Sequence, residues 1–439
     1  MSRRLLTNLR TLDPSGDVPV REGANIVIEA GWIVSIEENP VEPAGFDEVI
    51  DFSGKVALPG MINAHTHLYS ALALGMPGPK VNPTTFVQIL EQVWWKLDRA
   101  LDEDSTRASF RSGLLECVRQ GVTTVIDHHS SPGFTQGSLV MLAEEAKRLG
   151  IRVSVAFEVT DRNGEAEFAS SVMENLDAWE RYRDDPNVHP MFGLHASFTL
   201  SDDSLKRVSD ELSTRDELGI HIHLAEDRAD EEDARQRGHE SVVARLDHFG
   251  LLNEHGLVIH GLHIRPEDVQ TLKDAGMRLV HNPTSNANNR VGLLSKDTIE
   301  TLRAGLGTDG MQAKMLAEAK EGTLIRSSQL DGGAANVDYV NLLFGNNPAI
   351  AMHLFGQPVG RIAEGYPADF AVYEYDSRTP LTADNAGGHL LFGLGEPTDV
   401  LSMGEFRVRN GRFIGIDEAE IMEDARRQSK RLWDAMQKL

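Results

Sequence analysis

The sequence predicts an α/β chain: a (β/α)8 TIM-like barrel with a small β-sandwich domain built from both chain ends. Three observations carry this. Between residues 56 and 306, short β-branched apolar runs alternate with amphipathic helical stretches, the pattern of βα units and a parallel sheet. Eight such runs can be counted, the number that closes naturally as a barrel. Before and after this middle part, β-rich segments with turn residues form two distant sets that suit one small sheet domain, with the middle inserted between them.

In chain order, residues 25–30 and 32–36 flank Gly31 in a hairpin-like pattern, and 49–51 and 55–58 continue it. The eight barrel strands are expected at 56–62, 123–127, 152–157, 190–195, 219–223, 257–260, 278–280 and 304–306. Amphipathic stretches at 138–149, 167–181, 202–215, 240–249, 266–275 and 311–326 supply helices. Pro266 suits a first helical turn and Gly276 a position just past a helix end. The second β-rich set covers 369–373, 400–403 and 407–409, before Asn410-Gly411. The expected organisation is therefore residues 1–57 and 363–415 as the small β-domain, 58–362 as the barrel and 416–439 as a C-terminal helix. A doubly wound open sheet competes, but no Gly-rich nucleotide loop follows an early strand.

Composition narrows the function. The 439 residues carry a formal net charge of −24, which argues against nucleic acid or an anionic membrane surface as partner. No run of about 18 apolar residues suggests a membrane span, and residues 1–8 lack the apolar stretch of a signal peptide, so a cytoplasmic protein is expected. Cys117 is the only cysteine, which rules out an intrachain disulfide and a multi-cysteine metal site. Any metal must rely on His and carboxylates.

Those residue types gather where a barrel places its chemistry, at the carboxyl ends of the strands. The first strand runs into His65-Thr66-His67, two side chains apart and so on one face. After the second come His128 and His129, after the fourth His195, and in the fifth His221, His223 and then Glu226. His260 and His263 close the sixth, His281 the seventh, and Asp309 follows the eighth. Ten of the chain's 16 histidines thus sit at predicted strand ends, which a random scatter would not produce. His65, His67, His223 and Asp309 make a ligand set for one divalent ion, zinc foremost and iron as the alternative. Such an ion pulls the pKa of a bound water toward neutrality. Glu226, three residues past His223, is placed to move that water's proton. His260 suits holding the water or stabilising developing charge, and Asp309 doubles as a proton acceptor.

Each assignment has a competing structural reading. His221 shares a face with His223, which is preferred because it lies nearer the strand end. His128 and His129 point to opposite faces, so at most one enters a pocket. His195 is expected on substrate, with a buried hydrogen-bonded role as the rival. Trp94 and Trp95 pack a loop or, for Trp95, wall a planar substrate. The acidic run 226–233 reads as a solvated helix face, Glu226 excepted.

With those residues on the page, the chain resembles the amidohydrolase superfamily, in its cytosine deaminase and chlorohydrolase-like branch. The matching segments are Leu58-Pro59-Gly60-Met61-Ile62-Asn63-Ala64-His65-Thr66-His67, His221-Ile222-His223-Leu224-Ala225-Glu226, Val258-Ile259-His260-Gly261-Leu262-His263, His281-Asn282-Pro283-Thr284-Ser285-Asn286 and Gly307-Thr308-Asp309-Gly310. Gly365-Tyr366-Pro367-Ala368-Asp369-Phe370 resembles the return into the small β-domain. Residues 94–103, 126–132, 160–163 and 381–389 are similar to SsnA-type aminohydrolases.

The resemblance implies the same metal ligands, His65, His67, His223 and Asp309, with Glu226 and His260 in proton transfer and water orientation. No lysine suits a carboxylated bridge between two metals, so one ion is expected. Asp98 stands where adenosine-type relatives carry a ribose-contacting glutamate, and its shorter side chain weighs against a nucleoside. His128-His129 resembles a pair in purine-base deaminases and favours a free heterocycle. The expected activity is hydrolytic deamination of a small nitrogen heterocycle, with cyclic amide hydrolysis or chloride displacement as alternatives at the same site. Expected substrate contacts are His195, Asp98, His128 and Trp95, and homodimerisation follows from the resemblance alone. A catalytically silent binding protein would have lost a ligand or the proton shuttle, and all six positions are intact.

Overall fold

The computed structural model describes residues 3–329 and 336–439, so the predicted start at residues 1 and 2 lies outside the described part. The strands at the two ends of the chain pair into one nine-stranded sheet. Its centre is the strand Lys55–Pro59, which runs antiparallel to Phe370–Glu374 on one side and parallel to Arg3–Leu12 on the other. The predicted sandwich is thus a single hydrogen-bonded sheet by pairing. Its apolar face, with Leu6, Ile26, Ala57, Phe370 and Leu401, forms a core of its own.

Besides the short parallel strand Val188–Pro190, the middle of the chain supplies eight parallel strands: β1 (Met61–Thr66), β2 (Val122–Asp127), β3 (Arg152–Val155), β4 (Phe192–Ala196), β5 (Ile220–Leu224), β6 (Leu257–His260), β7 (Arg278–His281) and β8 (Gly305–Leu306). They lie in two arcs. β1, β2 and β3 continue into the short strand Val188–Pro190, and β4 to β8 pair in sequence. Isolated parallel bridges join the arcs at both edges, Thr66 with Asp309 and Val159 with Leu194.

Two expected strands are cut. The run 56–62 breaks at Gly60, whose N–H donates to the Asp369 carbonyl at 2.8 Å. A Cβ there would lie 2.3 Å from Thr123 Oγ1, so only glycine lets the chain pass from the small sheet into the barrel. The run 190–195 breaks at Met191, because Val188–Pro190 pairs with β3 while Phe192–Ala196 pairs with β5. Inside the barrel, Ala64, Ile126, Ala156, Met191, Ile259 and Val280 fill the lower layer. Among the described residues, no helix is long and apolar enough to cross a membrane.

Candidate metal centre and active site

β1 delivers His65 and His67, β5 delivers His223, and the turn after β8 brings Asp309 to the same point. One nitrogen from each imidazole and one Asp309 oxygen all lie within 4.8 Å of one another. His67 Nε2 stands 2.9 Å from Asp309 Oδ1 and 3.1 Å from His223 Nε2, while His65 Nε2 is 3.4 Å from the same oxygen.

The ring orientations are set from behind. His67 Nδ1 lies 2.6 Å from the His128 carbonyl oxygen, and His223 Nδ1 lies 2.8 Å from that of His195. A carbonyl only accepts, so each Nδ1 carries a proton and each Nε2 is left as the atom turned toward the site, the one that would bind a metal ion in place of a proton. His65 Nδ1 pairs with His221 Nε2 at 3.0 Å, leaving its fully buried Nε2 without a hydrogen-bond partner. Three imidazole nitrogens and one carboxylate converging in this way fit a zinc-type ion.

Charge tells the same story. Burial works against a proton on His67, yet its contact with Asp309, reinforced by Glu158, lifts it to about 10. Burial also works against the Asp309 anion, but His65 and His67 hold it well below the usual carboxylate range. His65, dominated by burial, falls to about 4. The point between these groups attracts positive charge strongly.

Backbone features aim the side chains. A Cβ on Gly307 would meet the His65 backbone at 2.7 and 2.8 Å, so glycine there lets the chain after β8 lie against β1. The Thr308 and Asp309 N–H groups then donate to the His65 carbonyl at 2.9 and 3.0 Å. Ala225 (φ 46), His260 (φ 72) and Asp309 (φ 54) are all left-handed, a costly conformation that clusters at functional sites.

Glu226 follows Ala225 and places Oε2 3.4 Å from His260 Nε2, while Asn289 Nδ2 donates to Oε1 at 3.2 Å. Burial, then the Asp309 charge, push the Glu226 carboxyl well above its ordinary range. Asn286 Nδ2 sits 2.8 Å from His260 Nδ1 and can only donate, which leaves the ring's N–H on Nε2, toward Glu226. Burial keeps that ring neutral, lowered to about 3. Ser285 Oγ donates to the second oxygen of Asp309.

Over the cluster opens a cavity lined by His67, His223, Glu226 and Asp309 below and by apolar residues including Phe86 and Trp94 at the side. Trp95, Asp98 and His195 line it too. His128 does not. It is packed among the metal-side rings, stacked on His221 with centroids 4.2 Å apart, because its main chain stays in register with Thr66 at the barrel's interior. The acidic run also differs from expectation. Asp230 and Glu231 are buried, and Asp230 accepts from the N–H groups of Phe198 (3.0 Å) and Ala225 (2.8 Å), fixing the turn that carries Glu226. Sequence reasoning passed over Glu158, a buried cavity residue beside Arg162, although it is the first polar residue after the third expected strand.

Comparison with known proteins agrees with this architecture. A model of the amidohydrolase family matches residues 56–400. A 5-methylthioadenosine/S-adenosylhomocysteine deaminase of Thermococcus kodakarensis is 30% identical over 380 residues, covering 84% of this chain and 85% of that one. Among solved structures, a zinc-bound adenosine deaminase of Xanthomonas campestris superposes with a TM-score of 0.85 at 20% identity, covering 98% of each chain. A zinc-complexed atrazine chlorohydrolase of Arthrobacter aurescens gives 0.82 at 20% identity, over 97% of this chain and 100% of that one. These two share the fold. With four metal-type ligands at the mouth of parallel strands and a family match across most of its length, the chain belongs to the amidohydrolase family, metal-dependent hydrolases of carbon–nitrogen bonds.

Proposed function

We propose that this protein is a hydrolytic deaminase of a small nitrogen heterocycle, using one divalent ion, zinc before iron, held by His65, His67, His223 and Asp309. The observation that carries the reading is Glu226: a buried carboxyl with raised proton affinity, 3.4 Å from His260 and grouped within 4.8 Å with His260 and Asp309. This reading takes the two arcs as one closed ring whose carboxyl ends share a mouth, and residues 58–362 as the catalytic unit. The similarity to deaminases of adenosine derivatives supports the reaction type.

The ion's contribution, when bound, is to lower the pKa of water and so supply a nucleophile at neutral pH. Glu226 takes a proton from the attacking water and hands it to the substrate nitrogen, a role suited to a carboxyl that holds its proton tightly. His260, with its N–H on Nε2, donates to the oxygen as negative charge develops there. Asp309, held ionised by His65 and His67, accepts the second proton, that of the new C–OH, and returns it to the departing amine as the C–N bond breaks and ammonia leaves. His195 and Trp95 face the ring, Trp95 as a flat apolar wall.

Ammonia release by zinc-reconstituted enzyme across a panel of aminopurines, adenosine derivatives, aminopyrimidines, pterins and triazines tests the reading, with Glu226→Gln as control. Ammonia that depends on Glu226 is expected. Ring-opened or dechlorinated products without ammonia would overturn it.

A further inference from the structure

Away from the metal ligands, a second pocket opens between the small sheet and the barrel. The strand Phe370–Glu374 turns Phe370 and Val372 into the core of the small sheet and Tyr373 the other way, against the barrel. Tyr373 is 1% exposed and lines this pocket, and its hydroxyl has no hydrogen-bond partner. Burial holds the phenol protonated, so it stands as a donor. The pocket also takes in the start of the helix Met315–Gln329. The helical ladder begins with the Glu318 N–H donating to the Lys314 carbonyl at 2.8 Å. The N–H groups of Met315, Leu316 and Ala317 therefore find no acceptor among the described residues.

Lys314 and Lys320 line the same pocket, and among the described residues neither ammonium has an ion pair or a hydrogen bond. Lys320 lies 5.6 Å over the Phe392 ring. The half-buried Glu116 acts on Lys314 from beyond ion-pair range, while Glu396 accepts from Gln120 at 3.2 Å. The acid of the helix's first turn, Glu318, is turned away to Thr284. Cations at the positive end of a helix oppose its dipole, and a buried hydroxyl without a partner costs stability. A water molecule would satisfy the hydroxyl and leave the charge unanswered. An oxyanion answers both. We propose that this pocket binds a small organic anion. Its carboxylate or phosphate head accepts from the Tyr373 hydroxyl and the first-turn N–H groups, under the charge of Lys314 and Lys320. Its aliphatic body lies against Leu390 and Leu394, which also line the pocket.

The test is methionine-methyl NMR of the zinc-reconstituted full chain, following Met61 and Met315. Both line this pocket, and neither lines the cavity over the metal ligands, so anions that reach the metal do not confuse the readout. The probes are butyrate, butyl phosphate and butanol. Butyrate or butyl phosphate should shift both resonances saturably, with butanol binding roughly tenfold more weakly or worse. The tighter of the two anions assigns the head group as carboxylate or phosphate. Tyr373→Phe keeps the ring and removes only the hydroxyl, and should weaken the anion roughly tenfold or more. Lys314→Gln combined with Lys320→Gln should weaken it by a similar factor and leave butanol unmoved. If Tyr373→Phe does not fold, the lysine variant and the butanol comparison decide. No saturable shift with either anion, butanol binding as tightly as the anions, or anion affinity unmoved by the substitutions would each overturn the proposal. Neither ammonia release nor Glu226 enters this measurement, so its outcome and that of the deaminase reading are independent.

Discussion

The two ends of the barrel strands follow opposite rules. At the carboxyl ends, Ala225, His260 and Asp309 hold left-handed backbone, and buried polar atoms such as His65 Nε2 and His260 Nε2 lack hydrogen-bond partners. At the amino ends, the buried Asp369 carboxylate accepts from Arg152 Nη1 and from the Met403 N–H, both at 2.6 Å. The carbonyl of Asp369 also takes the Gly60 N–H and ties β1 to the small sheet. One end keeps strained backbone and unpaired polar groups around a cavity, while at the other the Asp369 carboxylate is spent on the protein itself. In such barrels chemistry belongs to the first end and stability to the second.

Substitutions at each end can break that contrast. The largest effect is expected from Glu226→Gln, which removes the proposed proton shuttle and should lower kcat by roughly 10³-fold or more. Its melting temperature should hold or rise, because the amide spares the fold a buried acid that could ionise beside Asp309. Steady-state kinetics with calorimetric melting checks both. Activity within tenfold of the parent would show that the mouth does not hold the reaction.

Asp369→Asn is the mirror case. It leaves the buried Arg152 guanidinium without a counter-charge, and breaking such a pair costs about 3–5 kcal/mol. Urea unfolding should show that loss while kcat/KM of the folded enzyme stays within about twofold. A catalytic defect at unchanged stability would erase the distinction between the ends. Asn286→Ala returns to the mouth with a smaller effect. Without the closer donor to Nδ1, His260 keeps only Asn282 Nδ2 at 3.4 Å and its tautomer is held less firmly, so kcat should fall about 10- to 100-fold. KM and zinc content should stay put, so a parallel loss of metal would assign Asn286 to the ligand scaffold instead.

The mouth was largely legible from residue types, since His-x-His, Glu226 and Asp309 stand at strand ends whose apolar runs are plain. What stayed hidden depended on pairing between distant segments. The strand Arg3–Leu12 carries register shifts between Leu6 and Leu9 and again before Thr11, which destroy the alternation that marks a strand. Gly60 splits one apolar run because two sheets compete for it. His128 follows a strand as the others do, but its ring packs inward on His221, and only the coordinates reveal which side a strand-end residue takes. Asp230 sits in an acidic run that looks solvated, yet two backbone N–H groups from separate loops claim it.

A last, smaller test bears on Glu318, which supports the mouth from outside the ligand set. It lies on the helix Met315–Gln329 and accepts from the N–H of Thr284 at 3.0 Å and from its hydroxyl. Thr284 belongs to the helix Pro283–Asn289, which carries Ser285, Asn286 and Asn289 into the site. Burial raises Glu318 to about 7 against the pull of both hydrogen bonds. The folded state therefore binds this proton more tightly than the unfolded chain, whose glutamates titrate near 4.3. Its contribution is complete below about pH 4.3 and is lost as pH rises through about 7. The span is on the order of 3 kcal/mol, so Glu318→Gln should flatten the fall in stability between pH 5 and 8 by up to that amount. Unfolding free energies of parent and variant at equal zinc saturation give the difference directly, and Asp127 and Asp230, also raised to about 7 by burial, cancel in it. Parallel curves would mean that Glu318 stays ionised in the fold, with Thr284 donating twice to a carboxylate. The helix behind His260 would then belong with the satisfied end of the barrel.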